Sequence, residues 1–159
     1  SAVGEHPATV LPGGIVRAFV GEPHAFRTEE LTVGGHRVRP IGVGNPHAVL
    51  FVDDASAADV ADLGSTIERD PIFPDGTNVE FVQLEEGNRI VVRVWERGVG
   101  ETMASGTGAT AAAFAARMVA ELDDAITVVL PGGELLIEFD ESGAWMTGPA
   151  SIVFRGSVD

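Results

Sequence analysis

Short apolar runs alternating with polar residues, each broken by glycine, make up most of the chain. "ATVLPGGIVRAFV" (8–20) predicts a hairpin about Pro12, Gly13 and Gly14, and "LTVGGHRVRPIGV" (31–43) a second about Gly34 and Gly35. "HAVLFV" (47–52) has the pattern of a buried strand. "NVEFVQLEEGNRIVVRVWERG" (78–98) and "ITVVLPGGELLIEFD" (126–140) predict further hairpins, and "AWMTGPASIVFRG" (144–156) the last strands. The string "VLPGG" serves two of these hairpins, either as an internal repeat or, more simply, as one favourable turn used twice. Two segments carry helical spacing instead. In "ASAADVADLGSTIERD" (55–70), Val60 and Leu63 stand at i, i+3, with Ser56 as candidate N-cap. "TGATAAAFAARMVAEL" (107–122) is small or apolar nearly all round, which predicts a buried helix rather than an amphipathic one. The fold class that follows is α+β: a curved, mostly antiparallel sheet wrapped around a central buried helix. No linker or low-complexity stretch divides the chain, so residues 1–159 read as one domain.

Composition narrows the chemistry. At 159 residues and 45% apolar content the chain can bury a sizeable core. Its 24 acids against 10 bases give a net charge of −14, which argues against nucleic acid or an anionic membrane as partner, because both need clustered cations. All ten bases are arginine; without lysine, a Schiff-base-anchored pyridoxal phosphate is excluded. Without cysteine, disulfides, thiolate metal sites and thiol nucleophiles are excluded too. Nothing in the sequence calls for a cofactor or a metal. "SAVGEHPATV" lacks the basic-then-apolar pattern of a secretory leader, and no run reaches the roughly 18 apolar residues of a membrane span, so a soluble cytoplasmic protein is the default expectation.

The candidate site is the start of the long helix. The first N–H groups of a helix lack internal partners and sit at the positive end of its dipole. Ser105-Gly106-Thr107-Gly108 leaves them little covered, which suits a carboxylate or phosphate. The plainer alternative is an ordinary helix start with Ser105 or Thr107 as N-cap. Polar residues gather at other strand ends: Asn45 and His47 in "GNPHAV", Asn78 in "GTNVEF", Glu96 and Arg97 in "WERGVGET". Singly, each fits a turn residue, a structural histidine or a solvated ion pair. Residue type and spacing together support an anion site in a small α+β protein.

Three ordered stretches carry more. "GNPHAVLFVDD", "GTNVEFVQ" and "RVWERGVGETMASGTGATAAA" closely resemble the diaminopimelate epimerases, and "LPGGELLIEFD" and "WMTGPASIVFRG" look like that family's closing strands. The resemblance runs over essentially the whole chain but covers only about the C-terminal half of a family member. It implies two pseudo-symmetric domains, each a sheet curled about a helix, with the substrate between them. It also implies cofactor-free inversion of LL- and meso-diaminopimelate by two cysteines, one removing the α-proton and the other delivering a proton to the opposite face. By the same resemblance Asn45, Asn78 and Arg97 would hold the substrate, Arg97 on its distal carboxylate. Glu96 and His47 would lie near the proton transfer. Gly106 and Thr107 would offer N–H groups to the carboxylate at the reacting carbon.

Two departures qualify that expectation. The family's A-C-G-T-G is here Ala104-Ser105-Gly106-Thr107-Gly108, so Ser105 stands where the second catalytic cysteine belongs. Ionising a thiol of pKa about 8.5 at pH 7 costs about 2 kcal/mol, whereas a hydroxyl with a pKa near that of water costs about 12 kcal/mol. The other cysteine belongs to the N-terminal domain, which would come from elsewhere, with residues 1–20 as the candidate crossover from it. The resulting expectation is an epimerase C-terminal domain, inactive alone, whose partners are diaminopimelate and an N-terminal domain or a second copy. The alternatives are a non-catalytic carboxylate-binding or assembly half, and another isomerase of the same fold.

Overall fold

Glycine turns convert the alternating segments into hairpins, as the computed structural model shows for residues 6–27 and 29–157. The strands are β1 (Ala8–Leu11), β2 (Ile15–Gly21), β3 (His24–Ala25), β4 (Leu31–Val33), β5 (His36–Gly42), β6 (Pro46–Phe51), β7 (Asn78–Glu85), β8 (Arg89–Glu96), β9 (Gly100–Thr102), β10 (Ala125–Leu130), β11 (Gly133–Asp140) and β12 (Gly143–Pro149). The helices are α1 (Val60–Glu68), between β6 and β7, and α2 (Gly106–Val119), between β9 and β10. One sheet runs β1-β2-β12-β11-β10-β8-β7-β6-β5-β3, with β4 on β5 and β9 on β8. Its pairs are antiparallel except β6·β7 and β8·β10. Each parallel joint needs a crossover. α1 supplies the first and α2 lies within the second.

The two helices take opposite faces of the sheet. Ile41, Val49, Val82, Val92, Val94, Ile126 and Ile137 join Ala109, Ala111–Ala113, Ala115 and Ala116 of α2 in one core. Val38, Ala48, Leu50, Val79 and Phe81 join Val60 and Ile67 of α1 in a second. Coverage on both sides explains why Asn78–Val82 is buried at five consecutive positions, where a half-solvated strand would alternate. The alanines let the sheet close around α2, since each occupies little more than the helix backbone itself.

Several local expectations are corrected. α1 begins at Val60 with Asp59 as N-cap, not Ser56, and ends at Glu68. Ser56 is already engaged: its N–H and hydroxyl donate to Asp54 Oδ1 at 2.8 and 2.7 Å, which closes a turn ahead of the helix. β12 stops at Pro149, and residues 150–157 form no further strand. α2 starts one residue earlier and ends three earlier than predicted. The shared "VLPGG" makes two different turns. Pro12–Gly14 form a three-residue loop, whereas Leu130 pairs with Gly133 across a two-residue one, so a reused turn sequence accounts for the string without a structural repeat.

Candidate active site

The mouth of α2 is built by its first four residues. Ser105 is the N-cap, in extended conformation, and its Oγ accepts the Gly108 N–H at 3.2 Å. The first backbone bond of the helix runs from Ala109 N to Ser105 O at 2.9 Å. The N–H groups of Gly106 and Thr107 are left without an acceptor among the described residues. Gly108 is also a space requirement. A Cβ there would stand 3.0 Å from Glu80 Oε1 and 3.1 Å from Ser105 Oγ, so the missing side chain lets a buried acid approach the helix.

Strand register delivers the other groups to the same end. His47 is paired with Asn78 across the parallel β6·β7 joint, and Val79 with Trp95 across β7·β8, which sets Glu96 at the level of Asn78. Period-two alternation then turns His47, Glu80 and Glu96 to the α2 side together with Val49, Val82 and Val94. His47 and Glu80 are fully buried, and Nδ1 of the ring lies 2.6 Å from Glu80 Oε1. His47 Nε2 lies 2.9 Å from Asn45 Oδ1, and Asn45 Nδ2 donates to Thr107 Oγ1 at 3.4 Å. A polar chain thus runs from the core of the sheet to the helix mouth. It emerges at a cleft of about 590 Å³, where Asn45 and Thr107 face Phe19, Glu22 and Ser142.

Burial pushes the Glu80 carboxyl above its ordinary range, the His47 ring draws it back, and the neighbouring Glu96 adds to the rise. Glu96 Oε1 accepts the Thr102 hydroxyl at 2.6 Å. Asn78 is a brace: its Nδ2 donates to Pro46 O and its Oδ1 accepts the Arg97 N–H, both at 3.0 Å. The Arg97 side chain is exposed and bonds the Asp75 carbonyl at 2.8 Å rather than any group at the helix mouth.

Of the residues singled out in the sequence, Asn45, His47, Ser105, Gly106 and Thr107 converge on the mouth of α2. Asn78 and Glu96 flank it from the adjoining strand ends. Arg97 lies against the loop before β7. Glu80 was missed. Its signal was present in "NVEFV", where a lone acid sits two residues from Asn78, on the same face, inside an otherwise apolar strand. Among the described residues no three His, Asp or Glu side chains are grouped as metal ligands.

A sheet rolled about a helix whose N-terminus stays open is a fold this chain shares with two solved structures. The chain aligns with a hydroxyproline epimerase from Agrobacterium vitis, solved with bound trans-4-OH-L-proline, at TM-score 0.62 and 13% identity over 86% of this chain and 50% of that one. It aligns with a probable proline racemase from Agrobacterium radiobacter, solved with bound carbonate, at 0.61 and 18% over 94% and 57%. At such identities the likeness concerns the fold. The family is given by sequence: the diaminopimelate epimerase model matches residues 40–153, and the chain belongs to that family. The diaminopimelate epimerase of Pseudomonas entomophila is 49% identical over 156 residues, covering 96% of this chain and 55% of that protein. The one from Methanothermobacter thermautotrophicus is 45% identical over 141 residues, covering 85% and 49%. The chain spans about half the length of the relatives it matches.

Proposed function

We propose that this chain forms one half of the active site of a cofactor-independent amino-acid epimerase, acting on diaminopimelate in the cytoplasm for lysine and peptidoglycan synthesis. The observation that carries the reading is the pair of unpaired N–H groups at Gly106 and Thr107, beside the Asn45–His47–Glu80 chain, in a member of this family. Donors preset at a helix N-terminus favour a carboxylate, and they favour it more as charge builds at the adjacent carbon during proton removal. Asn45 and Asn78 shape the substrate side, Arg97 takes the distal carboxylate, and His47 and Glu96 assist the proton transfer. An opposing domain supplies the acid or base for the other face of the α-carbon.

A second reading, carboxylate binding without turnover, is favoured by Ser105. Its hydroxyl serves as a helix cap, and ionising it costs about 10 kcal/mol more than ionising a cysteine at neutral pH. The two readings meet in one experiment. Inversion and α-deuterium exchange of diaminopimelate in deuterated water are compared for the chain, its Ser105→Cys variant, and each of these joined to the N-terminal domain of a relative. The first three should be nearly inactive, and the combination alone should invert, the non-additivity expected of groups that act as a unit. Substantial inversion by the chain as it stands would refute the proposal.

A further inference from the structure

Glu80 is the buried titratable group that the family resemblance leaves without a role, and its surroundings constrain its protonation. The Asn45 amide gives the first link, with the Thr107 hydroxyl in the accepting role. Its Nδ2 can only donate and faces Thr107 Oγ1, so the atom it turns to His47 is Oδ1, which can only accept. In this arrangement, with the Thr107 hydroxyl accepting from Asn45, the ring donates from Nε2 to Asn45 Oδ1. On the other side of the ring, Nδ1 and Glu80 Oε1 stand 2.6 Å apart, a separation that requires one proton between them. Whether that proton rests on the acid or on the ring, the pair is neutral overall. Neutrality fits the site. Both side chains are fully buried, Glu80 Oε2 has no hydrogen-bond partner among the described residues, and the facing charge, Glu96 on β8, is negative. From α2, Gly108 lies against Glu80, and Asn45 links His47 to the uncharged Thr107.

We propose that Glu80 is a positioning residue: by sharing one proton with His47 Nδ1 it keeps an N–H on Nε2, and that N–H turns Asn45 so that its amide N–H₂ faces the mouth of α2. Losing the shared proton would reverse the whole chain. A bare carboxylate draws the remaining ring proton to Nδ1, Nε2 becomes an acceptor, and Asn45 rotates to present its carbonyl oxygen where an anion would sit. Glu80 thereby decides, from inside the core, whether the site offers donors or an acceptor to a carboxylate. The inference deepens the carboxylate-binding part of the proposed function and rests on that reading. Its test uses no turnover, so the two can fail separately.

The test is nitrogen NMR of the ¹⁵N-labelled chain, with the His47 ring assigned through the backbone and acetate binding followed at the Gly106 and Thr107 amides. At neutral pH Nε2 should be protonated, in the native chain and in Glu80→Gln, whose amide can donate to Nδ1 without a dissociable proton. As pH is raised, the native chain should lose the Nε2 proton and, in the same step, bind acetate severalfold more weakly, while Glu80→Gln changes in neither respect. A native chain with Nε2 bare and Nδ1 protonated at neutral pH would overturn the proposal, and this readout requires no variant to fold. An identical response to pH in the native chain and Glu80→Gln would overturn it as well.

Discussion

Two residues of the helix mouth show how function and stability compete for the same atoms. Ser105 closes the first turn of α2 by accepting the Gly108 N–H, a task for which an oxygen is far better suited than a sulfur. Ser105→Cys is therefore expected to destabilise the chain by about 1 kcal/mol, read from urea unfolding, even where it restores proton chemistry. Glu80 competes in the other direction. Its carboxyl is raised from an ordinary value of 4.5, chiefly by burial and against the pull of His47. Below that value folded and unfolded chains both hold the proton, and no penalty exists. Above it the unfolded chain releases the proton while the folded one retains it, so stability falls as pH climbs toward the raised folded value. Urea midpoints measured across that window should decline for the native chain relative to Glu80→Gln.

At the scale of elements, α1 is held by contact with a strand rather than by its own sequence. Gly64 lies against Trp95, and a Cβ there would stand 2.7 Å from the Cβ and Cγ of that residue, atoms fixed by β8. Gly64→Ala should therefore destabilise by about 1–3 kcal/mol in denaturant unfolding, although alanine favours the helix intrinsically by about 1 kcal/mol. The same distinction between local and distant causes explains how far the elements were legible. The hairpins and α2 declare themselves through glycine turns and an unbroken small-residue run, both local signals. The start of α1 did not, because Asp54 takes the Ser56 groups that would have capped it. The parallel joints β6·β7 and β8·β10 did not either, since strand-partner choice depends on residues far along the chain. The candidate site divides in the same way. Ser105–Thr107 were readable from helix-start chemistry, whereas Asn45 and His47 were placed at the site through the family resemblance. The link from His47 to Glu80 spans 33 residues and exists only through strand register.

For the whole molecule, the net charge of −14 is the dominant long-range term. Several arginines are already committed to ion pairs, among them Arg17 with Glu138, Arg89 with Glu85 and Glu134, and Arg93 with Glu101. Such exposed pairs contribute little each, and the unmatched acids repel one another across the surface. Raising sodium chloride to about 1 M shortens the screening length to about 3 Å, and the melting temperature should rise in consequence. A fall would mean that the arginine pairs outweigh the repulsion.

The pairing of β12 with β2 has a different consequence. β12 lies between β11 and β2, Ile15 is paired with Pro149, and Ala150 N donates to Gly14 O at 2.7 Å. The first and last strands of the described chain, β1 and β12, therefore flank β2 on its two sides. A linker crossing β2 could join them, and the ring so formed could be reopened at the β7–β8 turn, at the end of those strands remote from His47 and Glu96. Such a circular permutant would keep every strand neighbour, with its new termini away from the helix mouth. The order in which the segments are synthesised is in this sense separable from the order in which they stand.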